Sequence, residues 1–263
     1  MSGLRPKHVR VAILLGVLAL VIFYAAHDVL RRRERAEWRR TLDVALVLVT
    51  AGGADAEAVR DVRRRVPALA SRLRDQFARY RPDGFAPFAF TVYGPVAEEV
   101  AHPGAPGDGF SAALRHAYEL WRFTRDIDGR ASVPSRGFDA RLYVLVRPPS
   151  DRALVEGVSE HGGRVGIATA ELDVSSVDLA LFVAAHELFH VVGASDRYGA
   201  DGSTLFPEGL AEPDLVPQFP QRYAELMARN RPLSATDEAR PESLDELWVG
   251  TKTAQEIGWA VTP

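Results

Sequence analysis

Residues 176–198 read SVDLALFVAAHELFHVVGASDRY, and this stretch decides the rest of the reading. Between Ser176 and Val192 there is neither Gly nor Pro, and every side chain except Ser176, Asp178, His186, Glu187 and His190 is apolar. Such a run predicts a buried helix. His186 and His190 are four residues apart, so they share one helix face and both imidazoles can reach a single metal ion. Glu187 follows His186 directly, where its carboxylate can flank an activated water and take its proton. Average residue usage gives this His-Glu-x-x-His pattern by accident in roughly 1% of chains of this length. Burying two imidazoles and a carboxylate among Leu, Phe, Val and Ala without partners is expensive, and a metal ion supplies the partner.

Two histidines leave a zinc ion short of a third protein ligand. Gly193 can take a positive φ, end the helix in a sharp turn and swing Asp196 back toward the imidazoles. The rival is Glu208, eighteen residues after His190 in FPEGLAE (206–212). Pro213 would cut a second ligand-bearing helix short, and Gly193 has no purpose if the first helix runs on, so Asp196 is favoured over Glu208.

The extended pattern, His-Glu-x-x-His-x-x-Gly-x-x-Asp, resembles that of the metzincin metalloproteases. The Asp variant, with Tyr198 two residues later, is most similar to the snapalysin group. Met227, in AELMA (224–228), resembles the Met turn that this class places beneath the metal. Arg229 stands where other metzincins carry Tyr. The FPEGLAE stretch is similar to the segment that supplies the metal-binding Glu of gluzincins. The metzincin resemblance implies an α/β (α+β) fold with a twisted mixed sheet and an active-site helix. It also implies Zn2+ held by His186, His190 and Asp196, Glu187 as general base, and a peptide or protein substrate. Other readings are a gluzincin-like zinc hydrolase using Glu208 and a catalytically inert metal-binding interaction domain; the intact Glu187 weighs against the last.

Around this core, Thr41–Thr50 predicts a buried strand ended by Gly52-Gly53. Asp55–Tyr80 predicts a helix from apolar positions 59, 62, 66, 69, 73, 77 and 80, with a kink or restart at Pro67. Phe88–Tyr93 and Ala140–Arg147 are further strands, and Ser111–Asp126 is a helix carrying Leu114, Tyr118 and Trp121. Gly162–Ala170 reads as a glycine-rich edge strand along which a peptide can lie as an added strand. His102 and His116 have no partner at ligand spacing.

The 263 residues include no Cys, which excludes a disulfide scaffold, a thiol nucleophile and Cys-ligated metals. Residues 1–40 carry nine basic and three acidic side chains, a net of +6, so the remainder carries −9 of the total −3. An acidic main domain offers no footprint for nucleic acid. Residues 11–26, VAILLGVLALVIFYAA, form an unbroken run of 16 apolar or Gly residues, about 24 Å of helix. Extended by Val29 and Leu30, it reads as a single transmembrane anchor; a cleaved signal would need a small-x-small site, which is missing. The organisation is then a basic tail (1–10), an anchor (11–30), a basic juxtamembrane segment (31–40) solvated near lipid headgroups, and a zinc metalloprotease-like domain (41–263). The arginines after the anchor favour a cytoplasmic domain, whereas the resemblance to secreted proteases implies an extracytoplasmic one.

Overall fold

A computed structural model describes residues 10–11, 14–16, 18–19, 22–23, 29–30, 33–82, 84–105, 107–148, 155–159, 163–171 and 176–260. Among them no helix is long and apolar enough to cross a membrane. Much of the expected anchor (11–30) lies outside the described residues.

The β-branched run after Arg40 forms β1 (Leu42–Thr50), buried on both faces as a central parallel strand must be. Asp55 caps α1 (Ala56–Ala78) by accepting the Glu57 N–H at 2.7 Å. The expected restart at Pro67 does not occur. The helix is one element, because proline forfeits a single backbone bond while Val62, Val66, Leu69 and Leu73 stay packed in the core. Then follow β2 (Phe88–Ala97), α2 (Phe110–Ala131), β3 (Ala140–Arg147), β4 (Val155–Ser159), β5 (Val165–Glu171) and α3 (Val177–Val192). Beyond α3 the chain is mostly loops, with two pairs of two-residue strands (Ala224–Glu225 with Leu247–Trp248, Arg231–Pro232 with Glu238–Ala239), two 3-10 turns, Leu226–Ala228 and Leu244–Glu246, and a short α4 (Thr251–Glu256).

The five strands before α3 form one mixed sheet in the order β2-β1-β3-β5-β4. The first four are parallel and β4 runs antiparallel to β5. Strand periodicity divides the core. Val44, Leu46, Leu48 and Val144 face α1 and α3, whereas Ala45, Val47, Tyr143 and Leu145 pack against Phe123 and Ile127 of α2. One sequence expectation changes here. The glycine-rich strand is not the edge: β5 lies between β3 and β4, and the short VEGVS segment, too polar and glycine-broken to read as a strand, takes the outer position. On α2, Leu114, Tyr118 and Trp121 face solvent, and the helix packs through Ala112, Phe123 and Ile127 instead.

The 31–40 segment is also not wholly solvated. Arg35 is buried and donates to the carbonyls of Asp139 and Gly163. Trp38 inserts among Phe77, Phe88 and Trp259 and donates to the Ile257 carbonyl at 2.5 Å. Arg40 grips Asp139 with two nitrogens, at 2.6 and 2.7 Å, and the Asp43 N–H adds a third bond. Burial alone would push the Asp139 carboxyl up, but these donors outweigh it and hold the group below the ordinary carboxylate range. A carboxyl depressed on folding adds stability above its unfolded pKa and loses it as pH falls through the folded value. Asp139→Asn is therefore expected to lower the urea midpoint at pH 7, with the gap to the parent closing as pH drops below about 4. A gap that is constant with pH would refute this account.

Candidate metal centre

Helix α3 lies against β5, and Gly166 permits the approach: a Cβ there would sit 3.2 Å from the Glu187 Cβ and 3.3 Å from its carbonyl oxygen. His186 and Glu187 are both buried, and Glu187 is only 3% exposed. The helix stops at Gly193, whose φ of 108° is open to glycine and strained for other residues. The N–H groups of Gly193 and Ala194 return to the carbonyls of His190 and Phe189, closing the helix end.

The turn delivers Asp196 to the histidines. Its Oδ1 lies 3.3 Å from His186 Nε2 and 3.1 Å from His190 Nε2, and the two Nε2 atoms are 3.1 Å apart. Glu187 Oε1 is 3.9 Å from His186 Nε2. Among the described residues, His186, Glu187 and His190 can bring ligand atoms within 4.8 Å of one another.

The tautomers follow from the second ring nitrogens. His186 Nδ1 meets the Leu226 carbonyl and His190 Nδ1 meets the Ala194 carbonyl, each at 2.9 Å. A carbonyl only accepts, so each Nδ1 donates, and in the neutral rings both Nε2 lone pairs point at each other and at a carboxylate oxygen. Asp196 Oδ1 and Glu187 Oε2 are buried without a hydrogen-bond donor among the described residues. Three acceptors converging on one point form an arrangement that a bound cation satisfies, whereas a proton can join only two of them. Ligand atoms about 2.0–2.1 Å from a tetrahedral ion lie roughly 3.3–3.4 Å apart, close to the spacing found, so this donor set fits zinc. Burial works to lower the His190 pKa, yet Asp196 and Glu187 outweigh it and raise it above the ordinary imidazole value. Burial likewise opposes Asp196 ionisation, but the two histidines hold its carboxyl far below the usual range.

Several residues that position this centre escaped the sequence reading. Glu256 of α4 accepts the Ser195 N–H at 3.0 Å and pairs with Arg197 at 2.6 Å, so it braces the loop carrying Asp196 from one side. On the other side the Arg197 N–H donates to the Met227 carbonyl at 2.9 Å. Met227 itself is buried in the 3-10 turn whose Leu226 carbonyl orients His186. That turn hangs on the fully buried Glu225, which accepts from the Met227, Ala228 and Gly250 N–H groups and the Thr253 hydroxyl at 2.6–3.1 Å. Glu208, the rival ligand, is half-exposed with its carboxylate 3.6 Å from Arg197.

A cleft of about 320 Å3 opens over the centre, lined by Thr169, Phe182, Val183, Tyr198 and Arg229 and walled by His102, Gly104 and Ala105. Tyr198 stacks on His186, with ring centroids 6.2 Å apart, and the Arg229 guanidinium lies 5.1 Å from the Tyr198 ring centroid. Burial and the nearby Asp196 push the Tyr198 phenol up to about 12. His102 does have a partner: its Nδ1 is 2.9 Å from Glu98 Oε1, one helical turn of sequence earlier but on an irregular segment. A larger hollow of about 590 Å3, bordered by Arg79, Glu212 and Trp248, contains no histidine.

No family model matches this sequence, and no curated protein matches it. Among solved structures, a chaperone–substrate complex is similar at TM-score 0.33 and 11% identity, over 60% of this chain and 24% of the other. Archaemetzincin from Archaeoglobus fulgidus, complexed with malonate, is similar at TM-score 0.29 and 11% identity, over 60% of this chain and 83% of its own. The chain thus spans about a quarter of the first neighbour and most of the second. Neither similarity carries the functional argument, which rests on the centre itself.

Proposed function

We propose that the chain is a zinc-dependent endopeptidase of the metzincin type, closest in motif to the snapalysin group. The observation that carries this reading is the convergence of two imidazole lone pairs and the Asp196 carboxylate beside a buried Glu187 whose Oε2 has no hydrogen-bond donor among the described residues. Zinc bound there supplies Lewis-acid activation of water and of the scissile carbonyl. The chain's own groups do the rest. His186 and His190 are held in the metal-binding tautomer by the Leu226 and Ala194 carbonyls. Glu187 takes the proton from the attacking water and passes it to the leaving amine. The outer strand β4, unpaired on one side among the described residues, offers that edge to an extended peptide, a place expected from the sequence for the Gly162–Ala170 segment. In the same proposal residues 11–30 anchor the chain in a membrane, with the catalytic domain on the extracytoplasmic side.

Metal analysis tests the ligand set. The parent is expected to bind one zinc per chain, Asp196→Ala to lose most of it, and Glu208→Ala to retain it. A parent that binds no zinc, or an Asp196→Ala variant that keeps a full equivalent, would sink the proposal.

A further inference from the structure

Helix α2 has two apolar faces, and among the described residues only one is packed. Ala112, Phe123 and Ile127 pack on the sheet. On the opposite side Phe110 is 86% exposed, Leu114 62%, Tyr118 59% and Trp121 55%. Their spacing of four, four and three residues places them in one stripe along the helix. Three arginines accompany it. Arg125 continues the stripe, with its guanidinium 5.7 Å from the Trp121 ring centroid, and the exposed Arg115 and Arg122 line one flank. Glu119, the helix's exposed acid, lies beyond those arginines on the side away from the stripe.

From this juxtaposition we infer that α2 is a membrane-docking face that lies on an anionic lipid surface, with its aromatic stripe in the headgroup–acyl boundary and its arginines among lipid phosphates. Phe and Leu supply the apolar insertion, Tyr and Trp prefer the interface, and arginines beside them match interfacial helices. Charge selects this occupant. The chain after residue 40 carries −9, so an anionic surface repels it except where it presents clustered arginines. Symmetric pairing of two copies through the same stripe would set three arginines against three. The fold also holds the helix near the basic segment, because Arg35 and Arg40 are both fastened to Asp139, in the loop that leaves α2 for β3. The inference goes beyond the proposed protease activity and uses the anchor reading only for proximity.

The chain has no native cysteine, so single nitroxide labels can be placed cleanly in the full-length protein. Leu114→Cys reports on the stripe, Leu18→Cys on the apolar N-terminal run, and Glu57→Cys, on the other side of the sheet, serves as an aqueous reference. On vesicles containing phosphatidylglycerol, the label at 114 is expected to sit ~5–10 Å below the phosphate level, protected from an aqueous nickel complex and accessible to oxygen. The label at 57 stays aqueous. Adding Arg115→Glu, Arg122→Glu and Arg125→Glu together is expected to return the label at 114 to water. A label at 114 that is aqueous while the label at 18 is inserted would overturn the docking face and leave the anchor standing. Interfacial burial at 114 with an aqueous label at 18 would support docking and remove the anchor. Strong dipolar coupling between labels at 114, without nickel protection by lipid, would mean a second copy covers the face and would also overturn the inference.

Discussion

Glu187→Ala is expected to lower peptide hydrolysis by about 100- to 10,000-fold, the usual worth of general-base assistance, while zinc content stays at the parent level. The geometry explains why the two readouts separate. The ligand atoms of His186, His190 and Asp196 lie within 3.1–3.3 Å of one another, whereas Glu187 Oε1 stands 3.9 Å from the nearer imidazole nitrogen. Glu187 Oε2 accepts no hydrogen bond among the described residues, so removing this carboxylate breaks no protein bond there. Glu187→Gln separates packing from chemistry: it preserves volume and cannot take the proton, so its rate should fall with that of the alanine variant. Hydrolysis at the parental rate in both variants would show that Glu187 is not the base, and an inactive parent with full zinc would leave a metal-binding domain.

The second large effect concerns stability. Glu225→Ala is expected to destabilise the fold by about 3 kcal/mol or more, because it strands several buried donors that each cost about 1–3 kcal/mol when unpaired. Burial pushes the Glu225 carboxyl up, and its four donors pull it back without fully offsetting the burial. Removing it leaves three backbone N–H groups and one hydroxyl in a dry interior. Glu225→Gln should do little better, because its NH2 must face either the Met227 and Ala228 donors or the Gly250 and Thr253 donors. Urea unfolding of the metal-free proteins measures both. A loss below about 1 kcal/mol, the net worth of a single ordinary hydrogen bond, would show that the carboxylate does not organise this turn.

What could be read in the sequence follows the range of the interactions. α3, its stop at Gly193 and the approach of Asp196 are encoded within one continuous stretch, so pattern and turn chemistry suffice. β1, β3 and α1 were legible because their periodicity is strong and local. β4 was not, since a five-residue VEGVS segment owes its strand character to pairing with β5. The exposure of Leu114, Tyr118 and Trp121 was equally hidden. A 3.6-residue period reveals an apolar stripe, but not whether the fold covers it, and here a second set containing Phe123 and Ile127 does the packing. The bracing of the centre by Glu256, Arg197 and Glu225 joins positions tens of residues apart, and nothing in the local sequence distinguishes these charges from surface ones.

The place of Glu256 has a consequence for timing. Both histidines and Glu187 are synthesised some seventy residues before the side chain that steadies the Asp196 loop, and Trp38 waits for a partner 219 positions downstream. A nascent chain still lacking α4 carries the His-Glu-x-x-His motif and the Met227 contact to the Asp196 loop, but not the Glu256 brace. If the proposed metal site forms, its third ligand therefore gains this brace only after α4 has left the ribosome and docked, and zinc affinity is expected to rise late in synthesis.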